Sequence, residues 1–485
     1  QMCIRDRMEY EKFLKQNKEE MISALQEVVR INSEEGESFV CQDETVYPFG
    51  QGIQNAFEAT LDIGRRLGFQ VKNVDNYGGH IDFPGTGDKI MAILGHIDVV
   101  PAGKGWKYDP YGGEIADGKI YGRGTSDDKG PVISCLYAMK ALKDAGYKPS
   151  ATIRVILGLD EESEWTGMDY YFSKERRPDF GFTPDADFPL INREKGILVF
   201  ELAKKFGKAK SEGLDLRSVK GGNAPNSVAD SCRAVLSSRD SGRYEQVKEK
   251  LAEYRDETGY KISCRGLGKS LEITASGISA HGAKPEAGLN AISIMMDFLG
   301  RLNFASDDQN DFISFYNQYI GFDLNGRKLG VDFEDEQSGR LIFNVGMTEI
   351  NTEAGKFTIN IRYPVTYEDN QIYEPMEPVL TRYDIGLVKL NSKAPLYIDE
   401  NDPLITTLLE IYKKHTGDEG AEPLVTGGGT YARATGGIVA YGALFPGDED
   451  VMHQKDEYIE IEKLELMTKI YAEAIYKLSS EDYNG

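Results

Sequence analysis

Five histidines stand in the chain, at positions 80, 96, 281, 415 and 453, and His96 has the setting best suited to metal chemistry. It lies in Gly95-His96-Ile-Asp98-Val-Val-Pro101, directly after a buried-strand signal, and in open α/β sheets binding residues gather at the carboxyl ends of strands. A second strand signal ends in Asp160-Glu161-Glu162. Between them runs Gly122-Arg-Gly-Thr-Ser-Asp127-Asp128-Lys-Gly130, a turn-rich loop leading into a helix, and Thr183-Pro-Asp185-Ala-Asp187 follows. One imidazole with several carboxylates from separate strand ends is a donor set for a borderline divalent cation such as Zn²⁺. Two cations a few ångströms apart need a shared anionic ligand, because their repulsion must be neutralised. An Asp in a tight loop suits that bridge. Asp98 is placed to accept the other imidazole N–H of His96. Glu161, beside Glu162, is placed to act as general base on a metal-activated water.

Each fragment alone has a plainer reading. His-x-Asp is mostly a surface or capping pair, Asp-Asp-Lys-Gly a solvated turn, Glu-Glu a solvated strand end, and Asp185 a cap on the turn after Pro184. Their joint occurrence in consecutive β-α units is what points to a metal site.

The elements that must position these residues read as an α/β domain. Lys89–Leu94 and Ala151–Leu159 are compact apolar runs of the kind buried parallel strands show. Ile53, Phe57, Leu61, Gly64 and Leu67 share a helical face, and Pro131 opens a helix with Val132, Leu136, Met139 and Leu142 on one side, ended by Gly146. That β-α-β rhythm predicts an α/β fold. From about Gly196 to Ser392 the texture changes. Lys269–Ala275 and Lys356–Arg362 alternate strictly, as strands do when one sheet face is wet, and a helix carrying Ile292, Met295, Phe298, Leu299 and Leu302 lies between them. After Ala394 helical periodicity returns, through Leu404, Leu408 and Ile411 and then Ile461 to Ile475. The expected organisation is one α/β domain, residues 8–195 and 393–485, interrupted by an α+β domain over 196–392.

Composition limits the partners. The net charge of −23 repels phosphate backbones and anionic lipid, so neither nucleic acid nor a membrane surface is expected. No apolar run approaches the ~18–20 residues of a membrane span. The five cysteines are scattered and contain no Cys-x-x-Cys pair, which predicts a reducing, cytoplasmic setting without a disulfide framework. No segment of signal-peptide character precedes Met8, and residues 1–7 read as an extension without structural meaning.

Taken together, His96-Ile-Asp-Val-Val-Pro-Ala-Gly, Gly122-Arg-Gly-Thr-Ser-Asp-Asp-Lys-Gly, Asp160-Glu-Glu and Met452-His453-Gln-Lys-Asp-Glu457 resemble the two-metal peptidase superfamily of carboxypeptidases, aminoacylases and carnosinases. Within it the chain is most similar to the PepV-type (Xaa-His or β-alanyl) dipeptidases. Thr183-Pro-Asp-Ala-Asp-Phe-Pro, Gly221-Gly-Asn-Ala-Pro-Asn226, Ser279-Ala-His281-Gly-Ala-Lys-Pro-Glu-Ala-Gly, Ile361-Arg362-Tyr-Pro and Gly427-Gly-Gly-Thr-Tyr431 extend the match from about Met8 to the carboxyl end. The resemblance implies a catalytic domain with a central mixed sheet and an inserted lid. It implies two divalent ions, zinc first and Mn²⁺ or Co²⁺ as substitutes: His96 and Asp185 on one, Glu162 and His453 on the other, Asp127 bridging. Asp98 would orient His96, and Glu161 would be the base in dipeptide hydrolysis. His281, Asn226 and Arg362 would come from the lid to the substrate, His281 to the developing oxyanion, and Gly428, Gly429 and Thr430 would line the dipeptide site. A cis bond between Asp127 and Asp128 and a monomeric enzyme are further implications. Glu164 stands where a small residue such as Gly is expected, which bears on loop shape. The rivals are an N-acyl-amino-acid deacylase or tripeptidase on the same scaffold, and an inactive binding homologue.

Other residues have readings of their own. Thr358, Asn360 and Arg362 fall on one face of a strand opposite Phe357, Ile359 and Ile361, so Arg362 either points into a cleft or is solvated. His281 lies in a turn-rich link between a strand and a helix, with no apolar face to fill; a helix-capping or solvated role is its alternative. His80 reads equally as a border of the site and as a structural residue. His415 sits in a helix's last turn, where a cation favours the dipole. Gly427-Gly-Gly429 lacks the Lys-Ser/Thr of a phosphate loop.

Overall fold

Three parallel strands form the centre of the first sheet, and every residue of the middle one, Ile90–His96, is buried. The structure, a computed structural model, describes residues 4–208 and 213–483. It divides into two compact units, one of Gln1–Asn192, Ile398–Val425 and Gly429–Gly485, the other of Arg193–Tyr397 and Thr426–Gly428. In the first unit, Ile90–His96 lies between Thr152–Gly158 and Phe180–Thr183, both parallel to it. Ile438–Ala440 adds a further parallel strand beside Phe180–Thr183. Gly78–Phe83 and Gln70–Val74 add antiparallel strands beyond Thr152–Gly158, so the sheet is mixed. Parallel strands need crossovers, and the helix Lys129–Asp144 supplies one between Ile90–His96 and Thr152–Gly158. Pro131 lies inside its first turn, where the missing N–H costs nothing. It packs against the helix Ile461–Leu478, whose Leu464, Met467, Tyr471 and Ile475 are buried at helical spacing.

The second unit is an eight-stranded antiparallel sheet ordered Lys261–Leu267, Ser270–Ser276, Ser231–Ser237, Asp215–Gly221, Ile342–Ile350, Ala354–Tyr363, Gly196–Lys205 and Gly386–Lys393. Gly196–Lys205 alternates buried and half-buried residues along its length, the signature of a sheet with one packed face. Helices Gly242–Thr258, Ala291–Leu299 and Asp307–Tyr319 supply the apolar side chains that complete its core.

Several expectations need adjustment. One strand expected to have a wet face does not. In Ala354–Tyr363, Thr358, Asn360 and Arg362 are at most 5% exposed, because the strand is flanked on both edges and covered on both faces. Ser270–Ser276 keeps its open face, with Ser270 and Thr274 half-buried and Ser276 exposed, although Glu272 on that face is buried, 2.6 Å from Arg265. Residues 4–7 belong to the first helix, Ile4–Gln16, rather than standing outside the structure. Thr426–Gly428, expected with the last segment of the α/β domain, joins the second unit, where the Lys195 amide donates to the Thr426 carbonyl.

Candidate active site

Parallel neighbours share a direction, so their carboxyl ends crowd one edge of the sheet. His96 is the last residue of its strand and lies in register with Gly158. Glu161 and Glu162 follow the end of Thr152–Gly158, and Asp185 follows the end of Phe180–Thr183. Small residues let these strands approach their surroundings. A Cβ on Gly95 would sit 2.5 Å from Asp128 Oδ2, and one on Gly158 would sit 2.2 Å from the Tyr431 hydroxyl. Asp127 comes from the loop that enters the helix Lys129–Asp144, through a cis bond to Asp128 as the resemblance implied. His453 comes from the loop before Tyr458–Glu460, with left-handed backbone at φ 61°.

The first unit brings all the expected metal-ligand side chains together. His96 Nε2 lies 2.9 Å from Asp127 Oδ1 and 3.7 Å from Asp185 Oδ2. His453 Nε2 lies 2.9 Å from Asp127 Oδ2 and 3.0 Å from Glu162 Oε1. One carboxylate, Asp127, therefore turns a different oxygen to each imidazole. Donor atoms of His96, Glu161 and Asp185 lie within 4.8 Å of one another, as do those of His96, Asp127 and Glu162. Tetrahedral ligands at the 2.0–2.1 Å typical of Zn–N and Zn–O bonds stand about 3.3 Å apart, which the 2.9–3.7 Å separations bracket.

The protonation pattern carries the same message. His96 Nδ1 lies 3.0 Å from the Asp98 carbonyl, which can only accept, so Nδ1 bears hydrogen. Its Nε2 lone pair then faces two carboxylates, an arrangement that only a cation on Nε2, proton or metal, makes favourable. Burial works against charging His96, but Asp185, Asp127 and Asp98 outweigh it and raise its affinity for a proton well above normal. Hydrogen bonds to Asp127 and Glu162 push His453 up to about 10. Burial drives Asp127 upward, yet the two imidazoles hold its carboxyl below the usual range. Burial raises Glu161, Glu162 and Asp185, with carboxylate neighbours adding to it. A compact, largely half-buried excess of carboxylates around two imidazole nitrogens could hold a cation.

Asp98 orients His96 chiefly through its carbonyl; its Oδ1 stands 3.4 Å from Nδ1, and its Oδ2 accepts from the Glu162 amide at 3.0 Å. Glu164 is exposed, and Trp165 takes the left-handed conformation of that loop, at φ 62°. Thr430 caps the short helix Tyr431–Ala434 by accepting from the Ala432 amide, and Gly428 N donates to Thr426 Oγ1. Gly429 adjoins Thr430 in the first unit. A cavity of about 230 Å³ borders Ser126, Asp185 and Met452, each at or beside a ligand position.

Within the second unit, the Asn226 carbonyl accepts from Gly282 N beside His281, and the His281 Nδ1 accepts from Ala283 N. Burial and the Arg362 charge lower the pKa of His281. Arg362 Nε donates to Asn360 Oδ1 at 3.0 Å and is buried rather than solvated. His80 lies outside the cluster: Nδ1 pairs with the Tyr171 hydroxyl at 2.8 Å, and burial lowers its pKa to about 4. His415 binds Glu473 at 2.7 Å and is structural.

Sequence reasoning missed three residues of the site. Asp128 Oδ2 accepts from the His96 amide, and Tyr431 packs edge-on against His96 at 6.2 Å. Glu457, wholly buried, accepts from the backbone of the Asp127 loop. The signals were present, as the second Asp of the doublet and the last residues of two quoted motifs.

Comparison with known proteins agrees with this geometry. Residues 92–477 match the model of Peptidase family M20/M25/M40. The chain belongs to that family. It is 38% identical over 479 residues to the protein named "Putative dipeptidase YtjP" of Bacillus subtilis, covering 97% of this chain and 100% of that one. It is 36% identical over 480 residues to the Beta-Ala-Xaa dipeptidase of Lactobacillus delbrueckii, covering 98% and 99%. Among solved structures, the aminoacylhistidine dipeptidase of Vibrio alginolyticus shares the fold at 14% identity and TM-score 0.57, over 95% of this chain and 97% of that one.

Proposed function

We propose that this protein is a two-metal dipeptidase acting on dipeptides with a free terminal carboxylate. The observation that carries the reading is the Asp127 carboxylate, one oxygen turned to His96 and the other to His453. His96, Asp127 and Asp185 would hold one ion, and Asp127, Glu162 and His453 the other. Nitrogen and carboxylate donors at tetrahedral spacing suit zinc first, with Mn²⁺ or Co²⁺ as substitutes. Bound there, the ions supply Lewis acidity to the water and to the scissile carbonyl.

Glu161 does the proton work. Its carboxylate oxygen takes a proton from the water that attacks the peptide carbon, then passes it to the amine nitrogen as the C–N bond breaks. Asp98 keeps His96 in one tautomer and fixes the Glu162 backbone, so both ligand sets are held before substrate arrives. His281, Asn226, Arg362 and the Gly428–Thr430 segment bind substrate, Arg362 through its carboxylate. Supporting the dipeptide over acylated amino acids or tripeptides, both close relatives carry dipeptidase names. A complete set of ligands and base speaks against an inactive homologue.

No helix among the described residues is long and apolar enough to cross a membrane. Cys41, Cys135, Cys232 and Cys264 are free, which supports a cytoplasmic enzyme, and we place it there as a monomer. A panel of dipeptides, tripeptides and N-acyl amino acids, assayed after chelation and after return of Zn²⁺, Mn²⁺ or Co²⁺, tests the reading. Restored hydrolysis of dipeptides above the other classes is expected. Hydrolysis that survives chelation, or preference for acylated amino acids, would overturn it.

A further inference from the structure

Two loops deliver the ligands that share the second half of the site, residues 122–127 for Asp127 and 453–457 for His453, and one buried carboxylate ties them together. Glu457 has no exposed surface. Its Oε1 accepts from three backbone amides of the Asp127 loop: Gly124 at 3.1 Å, Ser126 at 2.9 Å and Asp127 itself at 3.3 Å. Its Oε2 accepts from Arg123 Nη1 at 2.6 Å, and its own carbonyl accepts from the Gly122 amide. Arg123 Nη1 reaches back to the Gln454 carbonyl at 3.2 Å, one residue past His453. Ser126 Oγ donates to the Tyr458 carbonyl, and strands Lys119–Tyr121 and Tyr458–Glu460 pair at the base of the two loops.

Burying an ion pair is costly, and replacing one by apolar side chains is often neutral or stabilising. With Arg123 only 2% exposed, this pair is poorly explained as a source of stability. What it does supply is geometry. Three converging N–H donors fix the Asp127 backbone, and the same side chain stands four residues from His453, so one carboxylate holds both loops.

We infer that Glu457 is a positioning residue, setting the separation of Asp127 from His453 and with it the metal affinity of the Asp127–Glu162–His453 set. The inference rests on the two-metal reading above. Partners that orient metal ligands typically contribute 10–100-fold in affinity, and Glu457 does so through the backbone of one ligand and the loop of another.

The test titrates the metal-free, full-length protein with Zn²⁺ in competition with a chromophoric chelator, with no activity assay involved. Glu457→Gln keeps one acceptor oxygen but sets an NH₂ against Arg123, and it should weaken one of two zinc sites by 10–100-fold while the far-UV spectrum is unchanged. In a His453→Ala background, where that site is already broken, adding Glu457→Gln should cost the remaining zinc site clearly less than it costs the Asp127–Glu162–His453 set in the wild type, because only the Asp127 backbone is then disturbed. If Glu457→Gln fails to fold, Arg123→Lys and Glu457→Asp, which retain both charges at altered reach, should show intermediate losses. Unchanged affinity in any folded variant, or equal losses with and without His453, overturns the role of Glu457. A wild-type protein that takes up only one zinc ion would instead overturn the two-metal reading, so the two failures are distinguishable.

Discussion

Replacing Glu473 by Gln removes a buried charge held by Lys414 and His415 and should leave a pH signature. Glu473 is 1% exposed in the helix Ile461–Leu478, accepts from Lys414 Nζ, and lies 2.7 Å from His415 Nε2. Burial raises its carboxyl, but hydrogen bonds from His415 and Lys414 outweigh burial and pull it from 4.5 to about 2. A depressed carboxyl pKa stabilises the folded state above the unfolded value, and the contribution is lost as pH falls through the folded one. The gap is roughly 2.5 units, which at 1.36 kcal/mol per unit amounts to about 3 kcal/mol. Both tryptophans, Trp106 and Trp165, lie in the first unit, so tryptophan fluorescence during urea unfolding follows the unit that contains Glu473. With metal-free protein, Glu473→Gln should cost about 3 kcal/mol at pH 7. The difference from wild type should hold to about pH 5, halve by about pH 3 and vanish below about pH 2. A difference that stays flat from pH 6 to pH 3, or grows on acidification, would refute the assignment.

Three further outcomes follow from the proposed function. Glu161→Gln should retain metal while turnover falls about 10²–10⁴-fold, since the proton transfer alone is lost; elemental analysis beside kcat checks both halves, and wild-type turnover would move the base elsewhere. His281→Ala should lower kcat about 10²–10³-fold, the scale of a lost oxyanion donor, with little change in KM; an unchanged kcat in fully metallated protein would make His281 structural. Dipeptides amidated at the carboxyl end should be poor substrates if Arg362 grips the carboxylate, and Arg362→Met should erase the distinction between free and amidated substrate; equal wild-type rates on the two would remove Arg362 from substrate binding.

The parallel strands were legible because burial on both faces leaves continuous apolar runs such as Ile90–Leu94, and because their carboxyl ends carry His96 and Glu161-Glu162 in plain sight. Helices were legible for a related reason: Val132, Leu136 and Met139 repeat at helical spacing on a face that is buried. The polar face of Ala354–Tyr363 misled, because Thr358, Asn360 and Arg362 look like solvated residues but are covered. Alternation reports chemistry on two faces and cannot say that both are buried. Glu457 and Arg123 escaped for another reason. Their partners are backbone amides and a carbonyl more than 300 positions away in the chain, and such contacts leave no mark on spacing or composition.

The account stands on Asp127 as the shared ligand of two ions, and metal content measures that most directly. Protein loaded with excess Zn²⁺, dialysed and analysed for zinc should carry about two equivalents per chain, the count two ligand sets imply. Asp127→Ala should lose more than one of them, because each set gives up a donor and the charge between the ions is gone. An Asp127→Ala protein that keeps both ions, or a wild type saturated by one, would contradict it.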